Sequence, residues 1–177
     1  SRIDIYTHGT EKFEAFIEAL RGAHHHIHLQ YYIFADDEIG RCVRQVLIER
    51  ARAGVEVRVL YDDVGCWNVP RRFFDEMRRE GIEVHAFLRV VFPLLTSKVN
   101  YRNHRKVAIV DGHTGFMGGM NIADRYVRGT SWGTWRDTHF RVEGKGVHGL
   151  QSAFLIDWYV VTRQLIKGKA YYPNEAF

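Results

Sequence analysis

Two short β-prone runs, Val107–Val110 and residues 115–118, flank Asp111-Gly112-His113-Thr114, and this hairpin limits what the rest of the chain can build. It predicts a buried strand over residues 105–110, a tight turn, and a second strand ending at Gly118. Side chains alternate along a strand, so His104 and Lys106 point to one side while Arg105, Val107 and Ile109 point to the other. Asp111 has the opposite parity to His104 and shares its side only if the strand has already ended. An imidazole and an ammonium group at one strand end, with the Asn121 amide on the next loop, suit an anionic tetrahedral group. The lysine and the amide can hold phosphate oxygens while the imidazole attacks phosphorus. Gly118 and Gly119 permit close backbone approach to such a ligand.

The remainder of the chain alternates strand and helix patterns. Residues 3–6 read as a first strand, and Thr10 reads as the N-cap of a helix striped by Phe13, Phe16, Ile17 and Leu20. Residues 27–34 form an aromatic-rich strand. Asp36 and Asp37 then precede a helix carrying Ile39, Val43, Val46, Leu47 and Ala51, stopped by Gly54. Residues 55–61 are the next strand. Pro70 opens a helix with Phe73, Phe74 and Met77 inward, Gly81 closes it, and residues 82–88 are a further strand. This succession argues for parallel pairing with right-handed crossovers, to which the hairpin adds antiparallel strands. Residues 138–142 give one more strand, and Val147, Leu150, Phe154, Leu155, Trp158 and Val161 stripe a last helix. The expected fold class is α/β, an α/β/α sandwich with one central mixed sheet flanked by helices.

The 177 residues suffice for one domain with a real core, and a formal charge of +4 favours anionic partners such as phospholipid headgroups or nucleic acid. Cys42 and Cys66 lack the spacing of a disulfide framework, which points to reduced thiols and a cytosolic face. No run is long enough for a membrane span. The opening on Ser1 and the close on Pro173-Asn174-Glu175-Ala176-Phe177 suggest a piece of something longer.

The spacing His104-x-Lys106, Asp111, Gly118-Gly119-x-Asn121 resembles the HKD signature of the phospholipase D superfamily, with Gly119 standing where serine is commonest. The stretches Asn100-Tyr101-Arg102-Asn103-His104-Arg105-Lys106, Gly118-Gly119-Met120-Asn121-Ile122-Ala123-Asp124 and Trp135-Arg136-Asp137-Thr138-His139 look like bacterial cardiolipin synthases, most similar to their N-terminal catalytic half. The resemblance runs from about Tyr6 to Trp158. It implies a phospholipase D-like fold and transfer of a phosphatidyl group between phosphatidylglycerol molecules through a phosphohistidine, with no cofactor and no metal. It implies that His104 is the nucleophile, that Lys106 neutralises the phosphate oxygens, and that Asp137, about thirty residues downstream, holds the other ring nitrogen. Asp111 belongs to the catalytic motif, although its place at a turn reads as a structural carboxylate; Gly118, Gly119 and Asn121 are candidate substrate-binding positions.

Enzymes of this kind build one site from two such motifs, and this chain contains one. Either two chains pair as a homodimer or a second HKD half belongs to the same polypeptide. The expected partners are phosphatidylglycerol and a membrane surface, at the cytoplasmic face of the bacterial inner membrane. The rivals are a homodimeric metal-independent nuclease, for which nucleic acid is the less fitting substrate, and a non-catalytic half of a two-motif protein. Residues 88–102 are apolar at Val90, Val91, Phe92, Leu94 and Leu95 and flanked by Arg89, Lys98, Arg102 and Arg105, which fits a lipid contact or a buried covering loop. The run His24, His25, His26, His28 lacks a carboxylate or thiol at ligand spacing, so a polar strand entry is expected rather than a metal site. His139 reads as a buried, hydrogen-bonded core histidine or a neighbour of the site, and Asp62-Asp63 as a loop cap or a pocket lining.

Overall fold

A computed structural model describes residues 1–87 and 104–175, so the apolar segment 88–102 lies outside the described residues. In chain order the elements are β1 (Arg2–Tyr6), α1 (Gly9–Arg21), β2 (His26–Tyr31), α2 (Glu38–Arg52), β3 (Glu56–Asp62), α3 (Arg71–Arg79), β4 (Glu83–Phe87), β5 (Val107–Val110), β6 (Thr114–Gly118), α4 (Arg125–Arg128), β7 (His139–Glu143) and α5 (Val147–Thr162), followed by a 3-10 turn, Lys169–Tyr171. The strands form one mixed sheet in the order β1-β7-β6-β5-β2-β3-β4. Among the described residues no helix is long and apolar enough to cross a membrane.

The parallel block is β2, β3 and β4, as the alternating pattern predicts. β5 joins it antiparallel to β2, and β6 and β7 continue the antiparallel half. β1 departs from the expectation. It runs in the direction of β2 but sits at the opposite edge of the sheet, paired antiparallel with β7. A local pattern gives a strand its direction but not its neighbour, because β7 follows more than a hundred residues later.

Helices cover both faces. Phe13, Phe16 and Leu20 of α1, Val43 and Leu47 of α2, and Phe73, Phe74 and Met77 of α3 fill one face against Ile27, Leu29, Val59, Ala108 and Phe116. Each such side chain contributes about 1.5–3 kcal/mol when fully buried. The Phe16 ring meets Phe116 edge-on at 5.3 Å and Tyr31 at 6.1 Å. On the other face α5 lays Phe154 and Trp158 over Leu60, Val107 and Ile109.

Helix ends show where local signals hold and where they do not. Asp37 caps α2 as expected, its Oδ1 accepting from Gly40 N–H at 2.9 Å. Asp124, from the loop after β6, accepts from Ile39 N–H at 2.8 Å, while its own N–H donates to Asp37 Oδ2 at 2.7 Å, so the cap is shared across the sheet. Thr10 is not an N-cap. α1 starts two residues earlier than that cap implies, with His8 at the cap position, and Gly9 lies so close to the Tyr126 carbonyl that a β-carbon would not fit.

The face under α5 is less apolar than its helix suggests. His25 Nδ1 lies 2.8 Å from His26 Nδ1, His26 Nε2 lies 2.7 Å from Gln151 Oε1, and His28 Nδ1 lies 2.8 Å from Gln151 Nε2. Arg58 Nη1 reaches His28 Nε2 at 3.1 Å. A guanidinium can only donate, so His28 Nε2 offers a lone pair, His28 is neutral with its proton on Nδ1, and the Gln151 amide must turn its oxygen to His28 and its nitrogen to the His26 Nε2 lone pair. The 3-10 turn closes this face: Tyr171 donates to Glu56 at 2.6 Å, and its ring stands 4.8 Å from His26 and 5.8 Å from His28. These histidines form a hydrogen-bonded chain, the polar strand entry anticipated from the sequence. Among the described residues no three ligating side chains converge on a metal site.

Burial holds His26 near a pKa of about 4 and lowers that of His28 well below its ordinary 6.5. The unfolded chain therefore binds protons more readily than the folded one. The histidine contribution to stability should be complete above about pH 6.5 and fall as the pH drops toward 4, with a slope near 1.4 kcal/mol per pH unit for each titrating imidazole. Urea unfolding at pH 7.5, 6 and 4.5 checks this, and a flat profile would contradict the neutral chain.

Candidate active site

The antiparallel pairing of β5 with β2 sets the geometry. Gln30 lies opposite Val107, so the residues just before β5 emerge beside the residues that follow β2. There His104, exposed, stacks on the Tyr32 ring with centroids 4.1 Å apart and planes 22° from parallel. Lys106, half-buried, stands 5.9 Å from the same ring and donates from Nζ to the His104 carbonyl at 2.7 Å. The two groups share a side, and Arg105 turns to the other face, where it pairs with Asp157 of α5 at 3.0 Å. β5 itself starts at Val107, two residues later than predicted, which leaves His104 and Lys106 on the strand's approach.

Asp137 enters from the segment before β7. Its Oδ1 accepts from Thr138 N–H at 2.7 Å, and its carboxylate lies against Gly119, in space that a β-carbon at 119 would occupy. Partial burial lowers the Lys106 pKa, and the negative charge of Asp137 works against that shift. Among the described residues no hydrogen bond joins the His104 ring to Asp137; the carboxylate serves Thr138 and stands within electrostatic reach of Lys106. Gly118, at φ 152°, abuts the His139 ring and the Thr138 carbonyl, and Gly119 N–H donates to that same carbonyl at 2.8 Å. The glycine pair thus fits the end of β6 against the start of β7.

Two expected site residues lie elsewhere in function or in space. Asn121 is buried, with Oδ1 accepting from Ile33 N–H at 3.0 Å and Nδ2 donating to Tyr126 Oη at 3.1 Å. Its amide ties the loop after β2 to the loop after β6, so it braces the site rather than facing a ligand. Asp111 sits at the far end of β5, in the left-handed region at φ 55°. Its carboxylate accepts from the N–H groups of His24 at 2.9 Å, His25 at 2.7 Å and His26 at 3.1 Å. That corrects its place among the catalytic residues: it anchors the entry of β2, the role its turn position suggested. Asp62 likewise caps its loop, accepting from Val64 and Gly65.

Tyr32 was missed, although it ends an aromatic run at the sheet edge where ligands collect. A buried polar layer behind Lys106 was also missed, apart from His139. Extending the register by one residue puts Lys106 between Tyr31 and Gly118, and Gly118 faces His139. His139 Nδ1 accepts from Met120 N–H at 3.3 Å, so its proton resides on Nε2; burial, reinforced by Lys12 and Lys106, pushes its pKa down to about 2. Lys12 is wholly buried, with Nζ 3.9 Å from the Phe13 ring centroid and 4.3 Å from that of Phe16, and burial lowers its pKa strongly. Among the described residues Lys12 Nζ, Tyr31 Oη and His139 Nε2 have no hydrogen-bond partner.

A protein-family model described as cardiolipin synthase, PLD-like domain, matches residues 16–131. The chain is 42% identical over 171 residues to cardiolipin synthase 2 of Bacillus anthracis, covering 96% of this chain and 33% of that protein. It is 45% identical over 163 residues to a cardiolipin synthase of Geobacillus kaustophilus, covering 92% of this chain and 32% of the other. It therefore spans about a third of the length of the curated relatives it matches. In fold it is similar to the phospholipase D family member Nuc from Salmonella typhimurium, with TM-score 0.66 and 18% identity over 89% of this chain and 93% of that one.

Two substitutions separate bracing from chemistry. Asp111→Ala, which strips three N–H groups of their acceptor, that of His26 buried and those of His24 and His25 part-buried, should cost about 2 kcal/mol in urea unfolding, with Asp111→Asn costing less. Lys12→Met, which replaces an unpartnered buried amine by an apolar stem, should raise stability by about 1 kcal/mol or more; a loss would mean that the amine is satisfied after all. The motif geometry at the sheet edge and the match over most of the chain agree: this chain belongs to the cardiolipin synthase, PLD-like domain family.

Proposed function

We propose that this chain is a phosphatidyltransferase domain of cardiolipin synthase type. The observation that carries the reading is the shared position of His104 and Lys106 against Tyr32, with Asp137 beside the lysine. An exposed imidazole next to a half-buried cation is suited to attack on a phosphodiester whose non-bridging oxygens the cation neutralises. A His104 ring nitrogen attacks phosphorus of one phosphatidylglycerol; the bond from phosphorus to the glycerol oxygen breaks, and that oxygen takes a proton and leaves as glycerol. The hydroxyl of a second phosphatidylglycerol then attacks the phosphohistidine, gives up its proton, and frees His104 as cardiolipin forms. Lys106 holds the phosphate oxygens through both steps, and Asp137 steadies the lysine and, once lipid is bound, the imidazole.

The proton for the leaving glycerol needs a second acid. We assign it to the equivalent histidine of a second copy of this chain or of a second HKD half in the same polypeptide, this chain forming one such domain. The reading places the domain at the cytoplasmic face of the bacterial inner membrane, supported by the formal charge of +4 and by two free thiols, Cys42 and Cys66.

With phosphatidylglycerol vesicles and a chelator present, His104→Ala should abolish glycerol release, and Lys106→Met should slow it by about 10²–10³-fold. Acid quench of the wild type should trap a phosphohistidine that His104→Ala lacks. Activity should follow the dimeric species through size exclusion. DNA cleavage that depends on His104, with no lipid turnover, would replace this reading by the nuclease.

A further inference from the structure

Two loops leave the same sheet edge on either side of His104, and each carries an indole into solvent. One follows β3. Gly65 lies against the Tyr32 carbonyl and Cys66 Sγ stands 3.5 Å from it, so the loop packs on the residue that stacks on His104. Its next residue, Trp67, is 82% exposed. The other loop precedes Asp137. Thr130 and Gly133 exchange hydrogen bonds of 2.8 and 3.0 Å, closing a four-residue turn whose tip carries Trp132, 96% exposed. Trp135 lies over Tyr126 at 5.8 Å, anchoring that turn to the loop braced by Asn121.

The loop segments that carry these indoles hold cations, while the carboxylates next to them in sequence, Asp62, Asp63, Asp124 and Asp137, sit at the loop ends and are buried or half-buried. Residues 64–72 contain Arg71 and Arg72 and no carboxylate, and residues 125–136 contain Arg125, Arg128 and Arg136 and no carboxylate. Arg71, Arg72, Arg128 and Arg136 are exposed, Arg128 while pairing with Glu38. Tryptophan is among the most buried residues on average, and among the described residues the indole of Trp132, held outward on a closed turn, is left 96% exposed. An amphipathic ring flanked by guanidinium groups matches the headgroup zone of a bilayer, with the ring among glycerol and acyl ester groups and the cations on phosphates.

We propose that the face bearing Trp67 and Trp132 docks on an anionic phospholipid bilayer and sets the His104 site at the level of the lipid phosphates. This rests on the phosphatidyl-transfer reading and names the surface by which the domain reaches its substrate. A single-stranded nucleic acid also stacks on aromatic rings beside arginines, but a stacking platform lies flat along a groove with one face covered. Trp132 stands clear at a turn tip, which suits insertion.

The test is co-sedimentation of the 177-residue chain with vesicles of phosphatidylglycerol and phosphatidylcholine, together with indole quenching by brominated phosphatidylcholine in the same vesicles. The wild type should bind and be quenched. Trp132→Ala and Trp67→Ala should each weaken binding several-fold, and the double variant by about tenfold or more, with unchanged thermal melting. His104→Ala should bind vesicles as the wild type does, so failure of the chemistry and failure of docking are read separately. Unaltered vesicle binding by the double variant overturns the proposal. So does an oligonucleotide that quenches the indoles where vesicles do not, or loss of dimer in Trp132→Ala with vesicle binding intact.

Discussion

The antiparallel contact between β2 and β5 is what the rest of the molecule depends on. It joins the parallel block to the antiparallel half, and the two ends of that ladder do different work. At one end His104 and Lys106 come up beside Tyr32; at the other, Asp111 gathers the N–H groups of His24, His25 and His26. A slip of one residue would turn Lys106 toward α5 and Arg105 toward the site, because strand side chains alternate. The carboxylate at Asp111 resists that slip, since its hydrogen bonds fix which residue of β5 meets the entry of β2. A motif residue can thus fix the register of the strand that carries the histidine while lying a strand's length from it.

The two faces of the sheet divide the labour. The face under α1, α2 and α3 is an interlocked aromatic and aliphatic core, and it supplies rigidity. The face under α5 mixes a small apolar cluster with a chain of neutral histidines, Gln151 and Arg58, closed by Tyr171. Buried polar groups are costly unless each is paired, so this second face specifies one arrangement rather than adding raw stability. Buried polar atoms without a hydrogen-bond partner occur on both faces among the described residues: Lys12, Tyr31 and His139 lie on the face toward which Lys106 points, Gln30 Oε1 and Arg58 Nε on the face under α5, and Arg141 Nε beside β6.

Gly119 shows how a single atom alters the site. Where related motifs carry serine, this chain has no side chain, and the Asp137 carboxylate occupies the room. The hydroxyl donor that serine would bring is missing, but the acid stands close enough to Lys106 to oppose the fall in its pKa. The Lys106 charge is therefore set by two opposed influences, burial against it and the carboxylate in its favour.

The sequence by itself determined the class of fold, the parallel βαβ block, the hairpin at Asp111, and the pairing of His104 with Lys106. These follow from alternation along a strand, helical stripes and turn residues, all of which act over a few positions. It also showed Asp111 as a turn carboxylate, because its parity set it apart from the histidine. Only the tertiary structure decided that β1 goes to the far edge, that Asp124 caps α2, that Asn121 is spent on Ile33 and Tyr126, that Tyr32 underlies His104, and that Tyr171 closes the histidine chain. Each of these is a choice of partner across many tens of residues. An amide, a carboxylate or an aromatic ring carries the same local signal whether it meets a ligand or its own backbone, and only the folded arrangement of strands brings the acceptor or donor that settles it.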